Sequence, residues 1–209
     1  MTHSTPSAPV TVTHPQAFAR TPEHPVDPRF VNRWSPRAFE AKPVPHAVVE
    51  SMVEAARWAP SSINLQPWSF HVADQPGPVR DAWNQAVGAG NRAWGDKAPV
   101  LAWVVARKVM GANPYAPPAT PNRHAWFDTG MAAIQYVLEG ERHGVRSHFL
   151  GGIDAAAAHR ILGLDADHEV VCAIVSGYPA DPESLPEAFR AREKPSGRKP
   201  FAEVARFNS

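Results

Sequence analysis

The sequence predicts an α+β sandwich with a central sheet, on three observations. Helical and strand-like patterns intermingle along the chain, the longest helical stretch falls near its middle, and proline-rich segments extend at both ends. At 209 residues the chain suits one domain with arms, long enough to bury a core without metal or disulfide help.

Residues 1–27 hold Pro, Thr, Ser and His with no periodic apolar face, and read as a loose arm. Residues 28–204 form the domain, and 205–209 are a short C-terminal end. Pro45 opens a helix whose stripe of Val48, Val49, Met52, Val53, Ala56 and Trp58 runs until Pro60. Alternation then predicts a strand with Trp68, Phe70 and Val72 on one face. A second helix is expected from about Pro78 to Trp94, with Val79, Ala82, Trp83, Ala86 and Val87 inward. The nearly continuous apolar run Pro99–Ala106 predicts a strand buried on both faces. With four prolines, residues 108–123 predict a long irregular loop, of the kind that often covers a site. A long helix is expected from His124 to His143, with Phe127, Met131, Ile134, Val137 and Leu138 inward and Gly144 as its cap. A short strand, Val145–Leu150, leads to Gly151-Gly152, where backbone can approach a ligand. Asp154 caps an alanine-rich helix ending near Gly163, and Glu169–Ser176 supplies the last strand. The tail from Tyr178 is proline-rich and charged.

Composition excludes several classes. A net charge of +1 offers no global field to draw the chain to nucleic acid or an anionic membrane, so any basic function is local. The single cysteine, Cys172, lies in an apolar run and reads as a core residue in a reducing compartment. No apolar run approaches the ~18 residues of a membrane span, and no secretory h-region precedes the domain, so a cytoplasmic protein is expected. Ten histidines include no tight metal-ligand spacing, and no G-x-S-x-G elbow is present. Gly88–Ala93 fits a G-x-G-x-x-A pattern, but within a helical stretch and without a preceding strand, which argues against a dinucleotide fold.

Two stretches carry chemistry. Arg33-Trp34-Ser35-Pro36-Arg37-Ala38-Phe39 places two guanidinium groups and a hydroxyl on a conformationally restricted segment, which suits a phosphate grip. The loop from Pro60 to Trp68 holds Ser61, Ser62, Asn64 and Gln66, four neutral hydrogen-bonding groups suited to a polyol and an amide-bearing ring. With a second basic pair at Arg198 and Lys199, the set describes flavin mononucleotide (FMN). A phosphate site without flavin would leave Asn64, Gln66 and Asn91 without a purpose.

The pattern R-x-S-x-R-x-F followed by A-R-W-A-P-S-S-x-N-x-Q-P-W resembles the nitroreductase family of FMN-dependent NAD(P)H oxidoreductases. The likeness runs on through the central helix, Gly151-Gly152 and the closing R-K-P-F-A-E-V. It implies a three-layer sandwich with a mainly antiparallel central sheet flanked by helices. It further implies a homodimer with FMN at the subunit interface, and a tail, residues 178–204, that embraces the partner. By resemblance, Arg33 and Ser35 are phosphate and ribityl ligands, and Arg37 is the cation near the flavin pyrimidine. Ser61, Ser62 and Asn64 would come from the partner. Asn91 would bond the pyrimidine ring, and Gly151 and Gly152 would present N–H groups near the reactive nitrogen. Arg198 resembles the tail's phosphate ligand, with Lys199 either sharing that work or solvated. Trp34, Pro60, Gln66 and Leu150 complete the expected set. Trp94 stands where some members carry a lysine, and Gly151 where some carry a glutamate.

The implied chemistry is two-electron and ping-pong. NADH or NADPH gives a hydride to FMN, and a nitroaromatic, quinone or similar planar electrophile then takes the electrons on the same face. The cofactor carries the reaction, so no side chain is named as catalytic. Another flavin reaction on the same scaffold (reductive dehalogenation, enal or semialdehyde reduction, flavin fragmentation) and a non-catalytic flavin-binding or redox-sensing module are the alternatives.

Overall fold

The computed structural model describes residues 20–111 and 113–208. Most of the expected N-terminal arm, residues 1–19, therefore lies outside the described residues. A short helix α1 (Pro28–Asn32) begins with Pro28 in its first turn, and the Asp27 carboxylate accepts the Arg29 N–H as its cap. Then follow α2 (His46–Arg57), β1 (Trp68–Ala73), α3 (Pro78–Asn84), α4 (Ala89–Gly95) and β2 (Val100–Arg107). The long helix α5 (Ala125–Arg142), β3 (Arg146–Leu150), α6 (Ala155–Ile161), β4 (His168–Gly177) and two short helices, α7 (Glu187–Arg190) and α8 (Phe201–Val204), complete the order.

The four strands form one antiparallel sheet in the order β1-β2-β4-β3. The central strand β2 is buried from Val100 to Ala106, as its apolar run predicts. Alternation sends Leu101, Trp103 and Val105 into one core and Val100, Ala102 and Val104 into the other. The first core packs α4 and α6 on the sheet, and the second packs α2 and α5, giving three layers. A bulge in β4 opposite Val104 and Val105 leaves Val171 unmatched, so Val171 and Cys172 face the second core together. Burial there pushes the Cys172 thiol up to about 12. No helix among the described residues is long and apolar enough to cross a membrane.

Three expectations fail for identifiable reasons. Trp58, expected to end the α2 stripe, lies just past the helix and is 70% exposed, its Nε1–H donating to the Glu54 carboxylate at 2.7 Å. The predicted Pro78–Trp94 helix is two helices, because the chain turns at residues 85–88, where Val87 bridges Ile153 and the Gly88 N–H bonds the Gly152 carbonyl at 2.9 Å. Val79 and Ala82 face outward, and the buried residue of α3 is Arg80, whose guanidinium caps the Pro99 carbonyl at 2.9 Å. In α5 the inward face is shifted: Val137 is buried and Met131 packs against the second core, as expected, but two residues turn outward. Phe127 is 68% exposed and Ile134 is exposed, while Ala132, Ala133, Tyr136, Val137 and Gly140 meet the core. Close packing of α5 on α2 needs small residues: a Cβ at Gly140 would lie 2.9 Å from Met52 Cε and 3.2 Å from the Val145 carbonyl oxygen. The loop 108–123 is irregular, as expected, pinned by isolated bridges Val109–Pro121 and Asn113–Ala116.

Gly140→Val should therefore destabilise the protein by about 1–3 kcal/mol through overpacking. Urea unfolding measures it, and combining the change with Met52→Ala should cost less than the sum of the two single changes.

Candidate functional site

The segment Arg33–Phe39 is extended and alternates: Trp34, Pro36 and Ala38 are buried, while Arg33, Ser35 and Arg37 are only partly covered. It runs beside the exit of β4, with Phe39 bridging Pro179, the Glu40 N–H on the Tyr178 carbonyl at 2.9 Å and the Ala180 N–H on the Ala38 carbonyl at 3.0 Å. From the tail, Glu193 locks it. The Glu193 carboxylate, with its side chain 2% exposed, accepts the N–H of Arg37 at 2.8 Å and that of Ala38 at 2.9 Å, and sits 3.9 Å from the Arg37 guanidinium.

Arg33, Trp34, Ser35 and Arg37 thereby line a cleft of about 290 Å³, closed by Arg20, His148, Arg192, Lys194, Pro195, Ser196 and Arg198. Six of these side chains are cationic, and no acid lines the cleft among the described residues. The positive groups fall into two ends. Arg20, Arg33 and Arg198 act on one another; burial, and then these like charges, lower Arg20 below the usual guanidinium range. Burial lowers Arg33 too, against the nearby Glu141, which Arg146 already binds. At the other end burial lowers Arg37, with Arg192 adding to the effect and Glu193 opposing it.

A ring stack joins that second end to the opposite wall. The Arg37 guanidinium lies 5.7 Å from the Trp94 ring centroid, and Trp94 tilts against His148 at 4.7 Å. His148 donates its Nδ1–H to the Pro36 carbonyl at 2.8 Å. Burial, reinforced by the Arg37 and Arg192 charges, pushes His148 down to about 4, so its ring is neutral near pH 7. Trp94, 2% exposed and part of the first core, does not itself line the cleft but backs Arg37 and His148 from behind.

The other expected residues lie in two further groups. Asn91 on α4 donates from Nδ2 to the Gly152 carbonyl at 3.1 Å, so Asn91 and Gly152 meet, with Gly151 exposed beside them. A Cβ at Gly88 would come 2.7 Å from the Gly152 oxygen, a distance only glycine permits. Leu150 packs its side chain into the first core. Pro60, Ser61, Ser62, Asn64 and Gln66 do not line the cleft of this chain. In their loop, Ser61 Oγ accepts the Gln66 N–H at 3.0 Å, and the Ser62 N–H bonds the buried Asp128 carboxylate at 3.0 Å. Lys199 points away and sits 4.0 Å from Glu203. No described residue of the loop 108–123 lines the cleft.

Sequence reasoning missed Arg20, His148, Arg192, Glu193 and Lys194. The charged run Arg190–Lys199 was the available signal for the tail residues. Arg20 and His148 carry none, because neither lies in a motif or at a recognisable ligand spacing.

This arrangement defines a three-layer α+β protein with a built site for a phosphate-bearing ligand. The family model described as "Nitroreductase family" matches residues 31–178, and the chain belongs to the nitroreductase family, a family of oxidoreductases. Arg20 and the tail lie outside the matched residues. A Thermus thermophilus protein named NADH dehydrogenase is 26% identical over 181 residues, 72% of this chain and 85% of the relative. A solved oxidoreductase containing FMN superposes with a TM-score of 0.85 at 33% identity, covering 90% of this chain and 96% of that one. A Desulfovibrio desulfuricans protein assigned as a nitroreductase and solved in complex with FMN gives 0.70 at 25% identity, covering 90% and 99%.

The depressed His148 affinity makes a pH prediction. Between pH 6.5, its ordinary value, and about 4, the unfolded chain binds a proton at this ring that the folded chain does not. Its contribution therefore weakens stability as pH falls through that window. Unfolding free energies across it should fall less steeply in His148→Gln than in the wild type; parallel curves would place a charged histidine in the fold.

Proposed function

We propose that the cleft binds FMN and that the protein is an FMN-dependent NAD(P)H oxidoreductase acting on nitroaromatics, quinones or similar planar electrophiles. The observation that carries the reading is the acid-free cleft with guanidinium groups at both ends. One end suits a phosphate dianion, and the other a ring system that becomes more negative on reduction.

When bound, FMN would supply two-electron chemistry between NADH or NADPH and the acceptor, in a ping-pong sequence. Arg33, Ser35 and Arg198, which line the cleft, would hold the phosphate and ribityl groups. Arg37, steadied by Glu193 and the Trp94 face, supplies the positive field at the pyrimidine end, and Arg192 deepens it. Neutral His148 holds the Pro36 carbonyl and so the register of Ser35 and Arg37. Asn91 bonds the ring edge, and Gly151 and Gly152 offer backbone N–H groups without side-chain obstruction.

The active form is a homodimer in which the partner's copy of the loop bearing Ser61, Ser62 and Asn64 completes the site. Support comes from apolar side chains left exposed on α2, the loop and α5: Trp58, Ile63, Trp126, Phe127 and Ile134.

The purified protein should show a flavin absorption spectrum that bleaches without oxygen on addition of NADH or NADPH. Arg33→Ala combined with Arg198→Ala should empty the site; full flavin occupancy in that variant would refute the phosphate assignment. Flavin that neither donor reduces would instead identify a binding module.

Sedimentation equilibrium should give a dimer at micromolar concentration. A monomer retaining flavin would refute the shared site.

A further inference from the structure

We propose that Arg20 is a third guanidinium ligand at the phosphate-binding end of the cleft, delivered there by a clasp between residues 20–24 and the C-terminal tail. The inference rests on the FMN reading of the cleft but concerns residues that reading did not use.

Arg20 is held by one edge only. Its Nη1 donates to the carbonyls of Val31 and Arg33, both at 2.9 Å, while its Nε is buried with no hydrogen-bond partner among the described residues. A buried N–H without an acceptor, on a fork built to embrace two oxygens, is a donor awaiting a ligand. The charges that act on Arg20 are Arg198 and Arg33, both positive, and both line the same cleft. Three guanidinium groups brought together repel one another, and the oxygens of a phosphate dianion relieve that repulsion while filling the empty edge. Ser35 and Ser196 add neutral hydroxyls to the lining.

The tail brings Arg20 to this position. Three residues beyond Arg20, the Glu23 carboxylate accepts the Phe201 N–H at 2.9 Å. His24 packs its ring edge-on against Phe201, centroids 4.6 Å apart, and Phe201 stacks on Phe207 at 6.0 Å. Residues 20–24 therefore lie on the tail just past Arg198. Arm and tail close over the anion end together, each contributing one arginine.

Dissociation constants for FMN and for riboflavin, which lacks the phosphate, test the proposal by quenching of flavin fluorescence in wild type, Arg20→Lys and Arg20→Ala. Arg20→Ala should weaken FMN about tenfold to a hundredfold and leave riboflavin unchanged, with Arg20→Lys between. Equal FMN affinity in all three proteins would overturn the assignment, and so would equal losses for both flavins, which would mark Arg20 as structural. A wild type that binds neither flavin would sink the FMN reading instead. Inorganic phosphate, titrated against intrinsic tryptophan fluorescence, would then decide Arg20 alone: weaker binding in Arg20→Ala supports it, and equal binding overturns it.

Discussion

The site depends on one buried carboxylate. Glu193 takes the N–H groups of Arg37 and Ala38, and without it the extended segment would present unpaired donors to a covered surface. Burying a charge costs several kcal/mol unless it is well paired. Here two backbone donors and the flanking Arg37 guanidinium offset that cost, and charge-assisted bonds of this kind are about twice as strong as neutral ones. The return is a backbone fixed before any ligand arrives. An arginine on a free loop would have to lose that freedom on binding, whereas Arg33, Ser35 and Arg37 leave the segment at every second residue, already directed to one side.

A preorganised positive cleft has its own cost. Bringing six cations to one cavity concentrates repulsion, which adds to burial, the larger cause, in lowering the proton affinities of Arg20, Arg33 and Arg37. The fold absorbs part of it with Glu141 beneath Arg33, Glu193 beneath Arg37 and the electron-rich face of Trp94. Keeping His148 neutral avoids a seventh charge. What is left over is directed into the cleft, so an anion bound there stabilises the fold by mass action as well as serving any chemistry.

How much of this the sequence disclosed follows the range of the forces involved. The apolar run of β2 and the alternation of β1 are set by local pattern, and both strands lie where that pattern puts them. The R-x-S-x-R spacing likewise encodes three side chains on one side of an extended segment. By contrast, the inward face of α5 is chosen by its close approach to α2 through Gly140, which favours Ala132 and Ala133 over the larger Phe127 and Ile134. Hydrophobicity alone placed Val137 and Met131 correctly but also turned Phe127 and Ile134 inward. The break between α3 and α4 comes from a backbone contact between Gly88 and Gly152, far apart in sequence. Arg20, His148 and Glu193 gain their roles only from partners 11 to 156 residues away, which no spacing rule records.

The loop after α2 presents the same logic under strain. Ile63, Asn64 and Gln66 all have positive φ, at 44°, 58° and 47°, and for a β-branched isoleucine that region is an outlier costing about 1–3 kcal/mol. Such a conformation persists only where its surroundings over-determine it, here the Ser61 Oγ bond to Gln66 N–H and the Asp128 grip on Ser62. A loop that only had to connect α2 to β1 would have no need of it. The strain leaves Ile63 and Asn64 exposed, away from this chain's own cleft. On the shared-site proposal that geometry acquires a reason. The loop is held ready for the partner's cofactor, as Glu193 holds Arg37 ready for its own, so the two halves of the polar lining are preorganised separately and meet only when two copies do.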